Sequence, residues 1–212
     1  MCPLCEKRRA KRFCPAQGAA ICPLCCGRFR EVTLDCPLDC PHLRASREHG
    51  ARDSAEPPAS PPLAPELEIS AAWLAGHEDL LQHLAGAVGA YWAREPRLAD
   101  PDLLDVLRHL AATLAAERAG VVFESLPSGA LREGLFRQIQ QAFAAYRPRP
   151  RGLGPAPPPR AQDWEMAVVY LGRAVRLRGN GRPRSRLCLE WLAPEAAAAA
   201  ARRGGAGLIV VP

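Results

Sequence analysis

The sequence predicts a small, metal-held, cross-braced head followed by an all-helical domain. Three observations carry that expectation. Eight of the nine cysteines fall within residues 2–40 of a 212-residue chain. Two stretches, Ala51–Pro65 with five prolines and Arg147–Gln162 with six, interrupt the rest of the chain. Proline lacks an amide donor and fixes φ, so neither stretch forms a regular helix or a central strand. Elsewhere, apolar residues recur at spacings of three, four and seven, the period of a helix face. The expected layout is a Cys-rich domain over 1–50, a linker over 51–65, and a helical domain over 66–212 with a proline-rich loop at 147–162.

The head comes first because its spacing is the most specific signal. A segment of this size rarely buries enough apolar surface to fold unaided. Cys2, Cys5, Cys22 and Cys25 form C-x2-C-x16-C-x2-C. Two thiolates three residues apart reach one ion from a tight turn, and this spacing is that of structural zinc sites. Cys14, Cys26, Cys36 and Cys40 make a second set of four, so the expected cofactor is zinc, two ions per chain. Cys14 lies between the pairs of the first set and Cys26 adjoins Cys25. Each site then closes a loop holding a ligand of the other, which is the cross-bracing. Zinc contributes about 10 kcal/mol or more to the folding of such a domain. Alternatives stay open at two positions: Cys26 fits in place of Cys25, and His42 in place of Cys40, with Cys40 preferred.

The first residues are polar and do not read as a secretory leader. The most apolar stretch, Leu80–Ala93, is interrupted by Gln82 and His83 and is too short to span a bilayer. The expected location is a reducing cytoplasm, away from membranes, where clustered cysteines bind metal in preference to forming disulfides. An iron–sulfur cluster is the rival, since Cys2, Cys14, Cys22, Cys36 and Cys40 each precede proline. The compact C-x2-C-x2-C-x3-C run of ferredoxins is absent. A thioredoxin-like redox pair would need a βαβ setting, and none is present.

The stretches CPLC, KRRAKRFCPA and ICPLCC resemble the opening of HIT- and MYND-type zinc fingers. That resemblance implies a cross-braced treble-clef fold and binding to proteins within larger assemblies. Gln17 stands near the place of one expected cysteine. The chain as a whole resembles a bacterial family of no assigned activity. In that family a head ending CCG…R…CP-x-DCP-x-L precedes a helical domain with an NGRP-x-SR segment. Here these are Cys25–Leu43 and Asn180–Arg186.

In the helical part, a first helix is expected from Leu67 to Arg94, with Leu74, Leu81, Leu84 and Val88 on one face and Pro96 beyond its end. A second starts at Asp100, read as the N-cap, with Pro101 in the first turn and Asp102 and Asp105 at the positive end of the dipole. Leu103, Leu107, Leu110 and Leu114 form its face. The connection Gly120–Phe123 is apolar and expected to be buried. A third helix follows Ser128 and turns Leu131, Leu135, Ile139, Phe143 and Tyr146 inward. A fourth runs from about Asp163 to Arg178 on Trp164, Val168, Leu171 and Val175, with Gly179 as its stop. A short fifth begins near Pro183 and carries Leu187, Cys188, Trp191 and Leu192. An alanine-rich helix over 196–201 and an apolar GLIVVP end packing on the bundle complete the expectation.

The net charge of +6 is uneven: +5 over residues 1–52, −5 over 66–146 and +8 over 147–212. Lys7, Arg8, Arg9, Lys11 and Arg12 fill the loop between Cys5 and Cys14, and Arg182, Arg184 and Arg186 follow the Asn180–Gly181 turn. These eight are the candidate contacts to an anion or a partner. Eight thiolates around two Zn²⁺ carry a net −4, so many of the head's cations are expected to neutralise the sulfurs. Phe13 and Phe29 are the aromatic groups near that loop. The expected use of the second cluster is to brace its turn, the arginine cations otherwise being solvated or paired with the acidic middle.

No catalytic constellation is found. His77 and His83 do not share a helix face, no phosphate loop or dinucleotide fingerprint occurs, and Cys188 among leucines reads as a buried hydrophobe. The expected function is therefore a non-enzymatic zinc-binding adaptor making protein–protein contacts. A nucleic-acid-binding protein using the basic head and the 173–186 segment is the alternative, and a zinc-thiolate redox sensor is a third reading.

Overall fold

In the computed structural model, residues 1–53, 63–148 and 157–194 are described. The chain divides into two units: Met1–Ala59 together with Asn180–Ser185, and Ser60–Gly179 together with Arg186–Pro212. The segment carrying NGRPRS thus belongs with the head, although it lies in sequence among the helices.

The first unit opens on a turn closed by Cys2, whose carbonyl accepts the amides of Cys5 at 3.4 Å and Glu6 at 2.8 Å. Strand β1 (Arg12–Cys14) pairs antiparallel with β2 (Ala19–Ile21), Phe13 opposite Ala20. Gly18 closes the hairpin at φ +60, a conformation that costs glycine little. Helix α1 (Pro23–Phe29) follows at once, and α2 (Pro41–Asp53) ends the unit's first stretch. The core is mostly sulfur: Ile21, Leu34 and Leu43 are its large buried aliphatics, packed with Cys2, Cys14, Cys22, Cys25, Cys26, Cys36 and Cys40. So little hydrocarbon explains why the head needs another source of stability.

The second unit is helical. Its elements are α3 (Ala71–Gly76), α4 (Glu78–Arg94), α5 (Asp100–Arg118), α6 (Ala130–Ala145) and α7 (Ala161–Arg178), with a further helical stretch over 187–194. Helix α5 packs on α7 and α6, and α4 on α6. Leu84, Leu103, Leu107, Leu110, Leu135, Phe136, Ile139 and Val168 form the buried centre. Phe143 stacks on Trp164, ring centroids 4.1 Å apart, with Tyr146 edge-on to the indole. Arg173 donates to the carbonyls of Leu63, Ala64 and Leu67, anchoring the segment that leads into α3. No helix among the described residues is long and apolar enough to cross a membrane.

Three local expectations change. The helix expected over Leu67–Arg94 is two helices that break at His77. Ser70 caps α3, and His77 bonds the Trp73 carbonyl through Nδ1 while stacking on the indole. Asp100 does not cap its own helix. Its carboxylate accepts the amides of Cys188 at 3.2 Å and Leu189 at 3.1 Å, capping the 187–194 stretch, while Asp102 receives the Ala99 amide at the start of α5. The connection expected to be buried is exposed: Val121, Val122 and Phe123 are all at least half open to solvent. The expectations for 196–201 and GLIVVP lie outside the described residues.

Candidate metal centre

The first site assembles from two CPLC turns. In the second, Cys22 is the N-cap of α1, and its Sγ accepts the Cys25 amide at 3.4 Å. Pro23 occupies the first turn, where its missing N–H leaves nothing unsatisfied. The same sulfur lies 3.9 Å from Sγ of Cys5. All four sulfurs, of Cys2, Cys5, Cys22 and Cys25, fall within 4.8 Å of one another, three of them buried and Cys5 half-buried. A tetrahedron with Zn–S bonds of about 2.3 Å has edges of about 3.8 Å. The group fits one tetrahedral ion, and a four-thiolate set is one that zinc takes.

The thiols of this group are driven apart in acidity. The Lys7 amide, opposed by burial and joined by the Arg8 amide, holds Cys5 down at about 6. Burial pushes Cys2 up, but the amides of Cys22 and Leu4 and the Cys22 thiol outweigh it, and the net shift is downward. Cys25 is pushed up to about 12, first by burial and then by the neighbouring Cys22, Cys5 and Cys2. Four sulfurs this close cannot all ionise without a cation among them. A bound divalent ion reverses that logic and deprotonates the set.

Cys14, Cys26, Cys36 and Cys40 are buried in the same small core. Burial, and then the proximity of Cys40 and Cys14, raises the Cys36 thiol. Arg30, itself buried, donates Nη2 to Sγ of Cys26 at 3.7 Å, and its Nε has no partner among the described residues. Among the described residues no second group of three or more ligand atoms is as tight as the first. His42 is half-buried in the first turn of α2 and is not part of the tight group.

The basic loop and the arginine segment are used differently. Lys7, Arg8, Arg9 and Lys11 are exposed and Arg12 half-buried. The loop meets the sulfur of Cys5 with backbone amides, those of Lys7 and Arg8, rather than with its cations. Arg182 donates to the carbonyls of Gly27 and Arg30. The Arg184 amide bonds the Glu31 carbonyl at 2.9 Å, and its guanidinium lies 3.7 Å from Asp35. Arg186, in the helical unit, is buried and donates to the Leu98 carbonyl at 3.2 Å.

Sequence reasoning did not single out Glu31. It is 3% exposed, sits at φ +51, and binds Arg47 and Asn180 through its two carboxylate oxygens at 2.9 Å each. A buried acid in the left-handed region is held there by its surroundings. No short-range pattern marks it, because its partners lie 16 and 149 positions away.

No family model, no curated protein and no solved structure matches this chain.

Proposed function

We propose that the protein is a non-enzymatic zinc-binding adaptor. The observation that carries this is the group of four sulfurs from Cys2, Cys5, Cys22 and Cys25, of which three are buried, in a core whose large buried aliphatics number only three, Ile21, Leu34 and Leu43. One zinc ion sits there, and a second is held by Cys14, Cys26, Cys36 and Cys40. The buried Arg30 beside Cys26 supports the second ion, since a guanidinium tolerates burial best against an anion. The order turn, hairpin, helix, with a ligand capping that helix, supports a treble-clef-like, cross-braced arrangement.

The absence of catalysis is supported by how the candidate groups are employed. His83 bonds the Ala142 carbonyl and His109 the Ser125 hydroxyl. Burial, with the Asp100 carboxylate nearby, pushes the Cys188 thiol up to about 12, far from a usable nucleophile. Protein contacts of the adaptor are supported by the exposed run Val121, Val122, Phe123 and Leu126 on the helical unit.

Elemental analysis of protein purified without added metal or chelator tests the reading, together with a visible spectrum. The expected result is close to two zinc per chain and no colour. Iron with brown absorbance, or no metal in folded protein, overturns it.

A further inference from the structure

We propose that the solvent face of the β1–β2 hairpin, together with the loop that precedes it, binds single-stranded nucleic acid. The proposal names a partner for the adaptor and rests on the zinc reading, because the metal turn fixes the loop's path.

The loop is free to act outward. Its backbone, not its side chains, serves the metal turn: the amides of Lys7 and Arg8 face Cys5, and the Arg8 carbonyl accepts the Cys2 amide at 2.8 Å. Among the described residues, none of the side chains of Lys7, Arg8, Arg9, Lys11 and Arg12 forms a hydrogen bond or salt bridge. Glu6 is the sole acid in residues 1–30. The seven cations of residues 1–30 exceed Glu6 and the −4 of two zinc tetrathiolates together by two, so the head's first stretch stays positive.

An aromatic ring stands beside these charges. Phe13 is 64% exposed, which no core role explains. Lys11 directly precedes β1, and its amide bonds the Ile21 carbonyl at 3.0 Å. Strand alternation puts Phe13 on the outward side, while Cys14 turns inward. The cross-strand partner of Phe13 is the small Ala20. Cations with an open ring match a strand whose phosphates and unstacked bases are both presented.

Duplex recognition fits less well. Groove reading needs a helix or ribbon that carries base-reading side chains; β1–β2 is such a ribbon in shape, but its exposed cross-strand pair, Phe13 and Ala20, offers no donor or acceptor to a base edge. Helix α1 has seven residues and one arginine, Arg28, which lies over Phe29. An acidic protein would satisfy the charges but gives Phe13 nothing to stack on. The arginines at 182, 184 and 186 are engaged within the fold, so the surface is confined to the head.

The test is fluorescence anisotropy of full-length protein with a labelled oligothymidylate of about 15 nucleotides. A duplex of equal length and polyglutamate serve as competitors. Neutralising four or five phosphates predicts an affinity loss of about 100-fold between about 50 and 200 mM salt. Phe13→Ala is expected to weaken binding about tenfold with its salt slope unchanged. Serine at Lys7, Arg8, Arg9 and Lys11 together flattens the slope. These positions are exposed, so the variants keep the fold, which zinc content of the same samples verifies. Polyglutamate competing as well as the oligonucleotide, with no effect of Phe13→Ala, would indicate an acidic protein partner and overturn the proposal. Preference for duplex, or no binding at low salt, overturns it too. The oligonucleotide decides the surface; the metal analysis separately decides the zinc reading.

Discussion

Glu31 Oε2 accepts a hydrogen bond from Nδ2 of Asn180 at 2.9 Å, joining positions 149 apart within one folded unit. The other carboxylate oxygen is held by Arg47, and the Glu31 carbonyl by the Arg184 amide. The head is therefore built from two separate pieces of chain.

Replacing Asn180 with alanine leaves a buried carboxylate one donor short. The expected cost is about 1–2 kcal/mol, since bonds to charged groups exceed the usual worth. Thermal melting of zinc-loaded protein measures it. Asn180→Asp, which sets like charges together, is expected to cost more. Equal stability of all three proteins would show that Arg47 alone satisfies Glu31.

Cys22 belongs to the tight sulfur group and also caps α1, and serine separates the two. Cys22→Ser keeps an N-cap oxygen for α1 but removes a thiolate. The expected result is loss of bound zinc from the first site and a folding loss of several kcal/mol, out of the about 10 kcal/mol that structural zinc supplies. Metal content and tetrahedral Co²⁺ absorbance check it. Far-ultraviolet dichroism should change little, because most helices lie in the other unit.

Acid acts on the helical unit through Asp163. Burial raises its carboxyl, but the Arg160 side chain and amide and the Trp73 indole outweigh this, and the value falls below the ordinary 3.8. The fold therefore favours the charged form. That contribution is complete above about pH 4 and disappears as pH falls through the folded value. Asp163→Asn is expected to lower stability by about 1 kcal/mol at neutral pH, as cap losses do, and to flatten the acid limb below about pH 4. An unchanged acid limb in denaturant titrations would remove Asp163 from the account.

Gly134 lies in the interior of α6, where alanine ordinarily adds up to about 1 kcal/mol. Here a Cβ would run into the Tyr91 hydroxyl, which donates to the Leu131 carbonyl at 2.8 Å. Gly134→Ala is therefore expected to destabilise, by about 1–3 kcal/mol. In a Tyr91→Phe background the penalty should shrink. A double-mutant cycle that proves additive would contradict the contact.

The range of the forces involved decides which features are legible in the sequence. The tight sulfur group was legible because C-x2-C turns act over three residues, and α5, α6 and α7 because a 3.6-residue period is local. The break at His77 was not legible: no proline marks it, and its causes are a ring stack on Trp73 and a bond to that residue's carbonyl. Asp100 carried a cap signal, yet it caps a stretch 88 positions away. Val121–Phe123 looked buried because hydrophobicity is a property of residues, whereas exposure depends on what packs over them. The arginines around 182 showed their charge; the carbonyls that use it lie more than 150 positions earlier.

The return of Asn180–Ser185 to the head sets an order of assembly on the ribosome. The four sulfurs of the tight group lie within the first 25 residues, so metal can enter soon after they emerge. The donor that Glu31 requires is made only 149 residues later. At about 5–20 residues per second that delay is about 7–30 s. Throughout that interval Oε2 of the buried Glu31 lacks the Asn180 donor, with Arg47 alone on the carboxylate. Chains truncated before Asn180 are expected to be the form that quality-control proteases recognise.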